Sequence, residues 1–151
     1  MKLNIKLYLK NINSIIFIKK SALMNRPSKI KSVLTNMGIK NIRKTHDKND
    51  KSTEYDFFFD IDGKTYGIGA KRTLRERYKQ FIKTALTSKI DVSIEITIGL
   101  DLNLQKAKTI VAHGTYIFVS DEIFQTRDYL KNIDKVYSVK DLNLKTLKEL
   151  Q

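Results

Sequence analysis

The segment Glu54-Tyr55-Asp56-Phe57-Phe58-Phe59-Asp60-Ile61-Asp62-Gly63-Lys64-Thr65-Tyr66-Gly67-Ile68-Gly69-Ala70-Lys71 constrains the fold more than any other part of this chain. Asp62-Gly63 is a strong signal for a two-residue type I′ hairpin loop, because both central residues of that turn need positive φ. With that loop, Ile61 faces Lys64, Phe59 faces Tyr66, Asp56 faces Gly69 and Glu54 faces Lys71. Side chains alternate along a strand, so Glu54, Asp56, Gly69 and Lys71 share one face at the open end of the hairpin. Gly69 presents no side chain there and leaves room opposite Asp56. A basic segment follows at once, Arg72-Thr73-Leu74-Arg75-Glu76-Arg77-Tyr78-Lys79-Gln80. It reads as the start of a helix over about 73–86, with Leu74, Tyr78, Phe81 and Ala85 as its buried stripe. Thr73 and Glu76 have the spacing of a capping box.

The remaining elements alternate. A helix is expected from Pro27-Ser28 to Gly38, with Ile30, Val33, Leu34 and Met37 at helical spacing. Residues 39–45 suit a short strand and 46–53 a polar loop. Asp91–Gly99 reads as a strand in which Val92, Ile94 and Ile96 alternate with Ser93, Glu95 and Thr97. Helices are expected over 103–112, over 121–130 with Asp121 as N-cap, and over 141–150. Apolar strands are expected over 115–120 and 136–139. This order implies an α/β fold, a mixed central sheet with an early hairpin, flanked by helices.

The hairpin and the basic segment after it resemble the PD-(D/E)XK nuclease superfamily, and within it the type II restriction endonucleases. Members place an Asp early in one strand and an acid-x-Lys at the end of the next antiparallel strand, followed by a helix. By that resemblance Asp56 is the first acid, Lys71 the catalytic lysine and Ala70 the residue whose carbonyl joins the carboxylates on Mg2+ (or Mn2+). Lys71–Gln80 is also similar to a Lys-x-Thr/Ser…Asp/Glu-Arg-aromatic-x-Gln stretch of some restriction enzymes. The implied function is metal-dependent hydrolysis of double-stranded DNA by a homodimer. Arg72, Arg75, Arg77, Lys79 and Gln80 are then candidate DNA contacts; otherwise the helix face, with Lys83, is simply solvated. The chain departs from the pattern at three places. Tyr55 stands where a proline is usual, Gly69 replaces the acid before Ala70-Lys71, and Thr84 occupies the position where some members carry that acid in the helix.

A second acid is needed, and three residues are candidates. Glu54 lies beside Lys71 on the same face, where a cross-strand ion pair is the alternative role. Glu76 sits at the start of the basic helix, where the capping box is the alternative. Glu95 reads as a solvated strand residue. Glu54 and Glu76 are the preferred pair, and Glu54 would join Asp56 and Ala70 as a metal ligand. Two other readings fit the same residues: a catalytically degenerate DNA-binding relic, and a homing- or junction-type nuclease on the same fold.

Charge supports a polyanionic partner. The 151-residue chain carries a net charge of +13, and residues 1–46 hold eleven Lys or Arg and no Asp or Glu. Such a run attracts nucleic acid in a salt-dependent way, although AT-rich coding DNA also favours lysine. Residues 1–26 are expected to form a basic arm or extension, with Met24 as an alternative start, and 27–151 an α/β domain. There are no cysteines, so disulfides and thiolate metal sites are excluded and a cytoplasmic location is expected. No 18-residue apolar run suits a membrane span. His46 and His113 lack ligand spacing, and no phosphate-binding glycine loop is present.

Overall fold

The computed structural model describes residues 27–44 and 55–150. The expectations for the basic arm, the loop over 46–53 and Glu54 lie outside those residues. Helix α1 (Pro27–Asn36) leads to a short strand β1 (Arg43–Lys44), then to the hairpin β2 (Phe57–Ile61) and β3 (Lys64–Lys71). Helix α2 (Arg77–Thr87), β4 (Val92–Thr97), α3 (Leu104–Ala112) and β5 (Thr115–Val119) follow. The chain continues through α4 (Asp121–Thr126), α5 (Asp128–Lys131), β6 (Val136–Ser138), a 3-10 turn (Val139–Asp141) and α6 (Leu144–Glu149). The six strands form one sheet in sequence order. β1, β2 and β3 are antiparallel, and β3 through β6 are parallel.

The hairpin turns where its sequence demands. Asp62 and Gly63 have φ of 50° and 82°, as a type I′ loop requires. The resulting register pairs Ile61 with Lys64, Phe59 with Tyr66 and Phe57 with Ile68. Phe57, Phe59, Ile68, Ile94, Ile96 and Phe118 point to one face of the sheet, where Ile30, Val33 and Leu34 of α1 and Leu147 of α6 cover them. The Tyr66 hydroxyl donates to the Leu147 carbonyl at 2.8 Å and ties α6 down. Leu74, Ile82, Ala107, Ile110, Ile117, Val119 and Leu130 build a second core on the opposite face.

Burial on both faces corrects the expectation for β4. Glu95 is 1% exposed, not solvated, and Ser93 and Thr97 are buried with it. The alternating pattern of 92–97 resembles a one-sided strand, but β4 is internal to a sheet with helices on both sides.

Helix α2 begins at Arg77 rather than at 73, and the capping box does not form. Glu76 is its N-cap without a side-chain cap hydrogen bond. The amides of Leu74 and Arg75 donate instead to Asp101, at 3.0 and 2.6 Å. Leu74 is buried but precedes the helix; Phe81, Ile82 and Thr84 are the residues α2 buries. The helix expected over 121–130 breaks at Arg127. Ser120, not Asp121, is its N-cap, because the buried Asp121 carboxylate accepts from Ser138 at 2.8 Å and pairs with Lys140.

Gly67 shows how tightly the sheet is covered beside β2. A Cβ there would lie 2.9 Å from the Tyr55 ring and 2.8 Å from the Ile90 side chain. Tyr55 is buried and packed edge-on against Phe58 and Phe81, so the ring cannot simply swing away. Gly67→Ala is therefore expected to destabilise the fold by about 1–3 kcal/mol through overpacking, read as a lower urea midpoint at unchanged m-value.

Candidate active site

Asp56 lies one residue before β2. Its amide donates to the Ile68 carbonyl at 2.8 Å, and its Oδ2 accepts from the Ala70 amide at 2.8 Å. The register expected from the uninterrupted hairpin, Asp56 opposite Gly69, is thereby corrected: the ladder ends at Phe57–Ile68, and the Asp56 amide shares Ile68 with Phe57 while its carboxylate is held against the Ala70 amide at the end of β3. Tyr55, in the place of the usual proline, fixes the approach to Asp56 by packing. Its hydroxyl donates to Ser93 Oγ at 2.9 Å, and burial, with the nearby Glu95 charge adding to it, raises the phenol above its ordinary pKa.

β3 continues from Ala70 to Lys71, and β4 runs parallel beside it. The register pairs Gly69 with Glu95, Ala70 with Ile96 and Lys71 with Thr97. Partners in adjacent strands point to the same face, so Gly69 and Glu95 lie side by side, with Lys71 one step further along β3; Asp56 meets this strand end through its bond to the Ala70 amide. Lys71 and Glu95 line one narrow cleft, together with Leu74, Arg77, Tyr78 and Phe81. The cleft opens at the carboxyl ends of parallel strands, the usual place for ligands in open α/β sheets.

The other expected residues are divided. Arg72, Arg75, Arg77, Lys79 and Gln80 are exposed, and Arg77 also lines the cleft. Glu76 does not reach the site: its side chain is 80% exposed and pairs with Lys79 at 2.9 Å. The Lys79 hydrogen bond lowers its pKa. Thr84 is buried in α2. Glu54 lies outside the described residues.

A supporting layer was not visible in the sequence. Arg127 donates from Nη1 to the Gly99 and Leu102 carbonyls, at 2.9 and 3.0 Å, and from Nη2 to the Leu100 carbonyl at 2.8 Å. The loop it holds carries Asp101, which Lys106 approaches at 3.0 Å. Burial opposes ionisation of Asp101, but the Leu74 and Arg75 amides and Lys106 outweigh it and lower its pKa. Asp101 in turn fixes Arg75 at φ 44°, a left-handed conformation that costs an ordinary residue about 1–2 kcal/mol. No short motif joins residues 75, 101 and 127, and only their convergence in space identifies them.

The donor set suits a hard divalent cation. Carboxylate and carbonyl oxygens are the ligands Mg2+ and Mn2+ prefer, and the end of β3 has Asp56 and the Ala70 carbonyl on one side and Glu95 on the neighbouring strand. Among the described residues, no three His, Cys, Asp or Glu side chains gather in one group, so a metal here would rest on paired carboxylates and backbone oxygen. No helix among the described residues is long and apolar enough to cross a membrane.

No protein-family model matches the chain. It is 48% identical over 107 residues to the uncharacterized protein in the DsaVM 5′ region of Dactylococcopsis salina, covering 71% of this chain and 90% of that one. Among solved structures it is similar to metal-depleted Ecl18kI in complex with uncleaved DNA, at a TM-score of 0.66 and 17% identity. It is also similar to the restriction endonuclease PspGI in a substrate DNA complex, at a TM-score of 0.61 and 16% identity. These matches cover 92% and 82% of this chain, but only 48% and 59% of the respective enzymes. The chain thus spans about half the length of Ecl18kI. The likeness establishes a restriction-endonuclease-like fold, a mixed six-stranded sheet flanked by helices.

Proposed function

The chain belongs to the same family as the uncharacterized Dactylococcopsis salina protein and has a restriction-endonuclease-like fold, and from that premise we propose that it is a divalent-metal-dependent DNA endonuclease. The observation that carries this reading is the Asp56–Ala70 hydrogen bond of 2.8 Å. It fastens the first acid to the strand end that presents Lys71, so a carboxylate, a backbone carbonyl and a lysine occupy one corner of the sheet.

Each group has a role. Asp56 and the Ala70 carbonyl would hold Mg2+ or Mn2+, which would supply Lewis-acid stabilisation of charge on the scissile phosphate and lower the pKa of water. Lys71 orients the attacking water and takes part in its deprotonation. Arg77, at the rim of the cleft, neutralises phosphate, and Arg72, Arg75, Lys79 and Gln80 extend that contact along the backbone. A homodimer would place two such sites on the two strands of duplex DNA. Gly69 in the usual acid position favours one second reading, a DNA-binding protein that has lost cleavage.

The test is incubation of mixed-sequence plasmid DNA with purified protein and Mg2+ or Mn2+, beside Lys71→Ala and an EDTA control. Metal-dependent cutting that falls by about 10²–10⁴ in Lys71→Ala, the range typical of proton-transfer groups, is the expected result. Absence of cutting on DNA of high sequence complexity, with salt-sensitive binding retained, would support the second reading.

A further inference from the structure

We propose that Glu95 on β4 is the second metal-holding carboxylate of this site and replaces, from the neighbouring strand, the acid absent at Gly69; the inference rests on the nuclease reading above. The β3–β4 register sets Glu95 directly beside Gly69. The two strands are about 4.8 Å apart, a gap that a glutamate side chain can bridge. Gly69 has no side chain to obstruct it, and Asp56, one residue before β2, bonds the amide of the next residue, Ala70. A carboxylate arriving from β4 therefore occupies the space that an acid on residue 69 would have filled.

Burial points the same way. Glu95 is 1% exposed, and enclosing a carboxylate is costly without compensating charge. The cleft it lines also carries Lys71 and Arg77, the cations a phosphodiester site would use. The other positions on α2 supply no acid to the site. Glu76 is turned out to Lys79, and α2 carries Thr84 in place of an acid. Glu54 is the rival that the experiment must separate.

The experiment is Mn2+ binding by the full chain, followed by electron paramagnetic resonance without DNA. It compares wild type, Asp56→Asn, Glu54→Gln, Glu95→Gln and the double variant Glu95→Gln/Gly69→Asp, with thermal melting of each. Glu95→Gln is expected to weaken Mn2+ binding by about tenfold or more, since affinity follows ligand charge count. Gly69→Asp in that background is expected to recover most of the loss, which a merely structural role for Glu95 would not produce. Should Glu95→Gln fail to fold, Glu95→Asp with and without Gly69→Asp is compared in the same way. Loss in Asp56→Asn with Glu95→Gln within about twofold of wild type would overturn the role of Glu95 and leave the nuclease reading standing. So would loss in Glu54→Gln with Glu95→Gln unaffected. If the wild-type chain binds no Mn2+, the role of Glu95 falls, and the plasmid-cleavage test alone decides the nuclease reading.

Discussion

Asp56→Asn is expected to reduce metal-dependent DNA cleavage by about 10³-fold or more, the scale of removing a charge-stabilising group from an active site, with little change in thermal stability. The two effects separate because the residue has two tasks. Its Oδ2 accepts the Ala70 amide at 2.8 Å, and an asparagine carbonyl oxygen can accept the same bond. The backbone bond from Asp56 to Ile68 is untouched. Only the negative charge is lost, and the charge is what a divalent cation requires. Asp56→Ala is expected to lose cleavage equally and to cost a further 1–3 kcal/mol or so, because the Ala70 amide loses its acceptor. Plasmid cleavage rates and melting curves of the two variants give the comparison. Asparagine cutting within tenfold of the wild type would remove Asp56 from the chemistry.

Arg127→Ala is expected to destabilise the fold by about 2–4 kcal/mol, because one guanidinium makes three charge-assisted hydrogen bonds to the carbonyls of a single loop, each worth about 1.5–3 kcal/mol and not additive. Gly99 is buried with φ 88°, so its carbonyl has little freedom to find another donor. The consequence should extend to the basic surface. Arg127 holds the loop, the loop carries Asp101, and Asp101 holds the amides of Leu74 and Arg75. Loosening that chain frees Arg75 from its left-handed conformation and blurs the position of Arg77. Urea denaturation should show the lower midpoint, and DNA binding measured against salt should weaken even where the variant is fully folded. Tyr129, which donates to Leu102 at 2.7 Å, is too short a substitute for the loop as a whole. An Arg127→Ala midpoint equal to wild type would show that solvent replaces the guanidinium without cost.

Much of the topology was legible because it is local. Asp62-Gly63 dictates its turn, and the three phenylalanines with Tyr66 and Ile68 dictate which face is buried. The register from Ile61–Lys64 to Phe57–Ile68 then follows, but not the shift beyond it that brings the Asp56 carboxylate to the Ala70 amide. The exposed basic run after Lys71 was equally legible from its charge. The start of α2 was not, because the group that satisfies the Leu74 and Arg75 amides comes from Asp101, more than twenty residues away in sequence. A capping box at Thr73 and Glu76 satisfies every local rule and still loses to that carboxylate.

The sequence by itself determined the hairpin, its register as far as Phe57–Ile68 and the alternation of helices and strands, since turn chemistry and side-chain periodicity act over a few residues. Only the tertiary structure decided that β4 is covered on both faces. That burial makes Glu95 a neighbour of Gly69 and Lys71 instead of a solvated strand residue. Glu76 meets the opposite fate, turned outward to Lys79. The physical reason is the same in both cases: a strand's alternation tells which residues share a face, but whether that face meets water depends on what the rest of the chain packs against it.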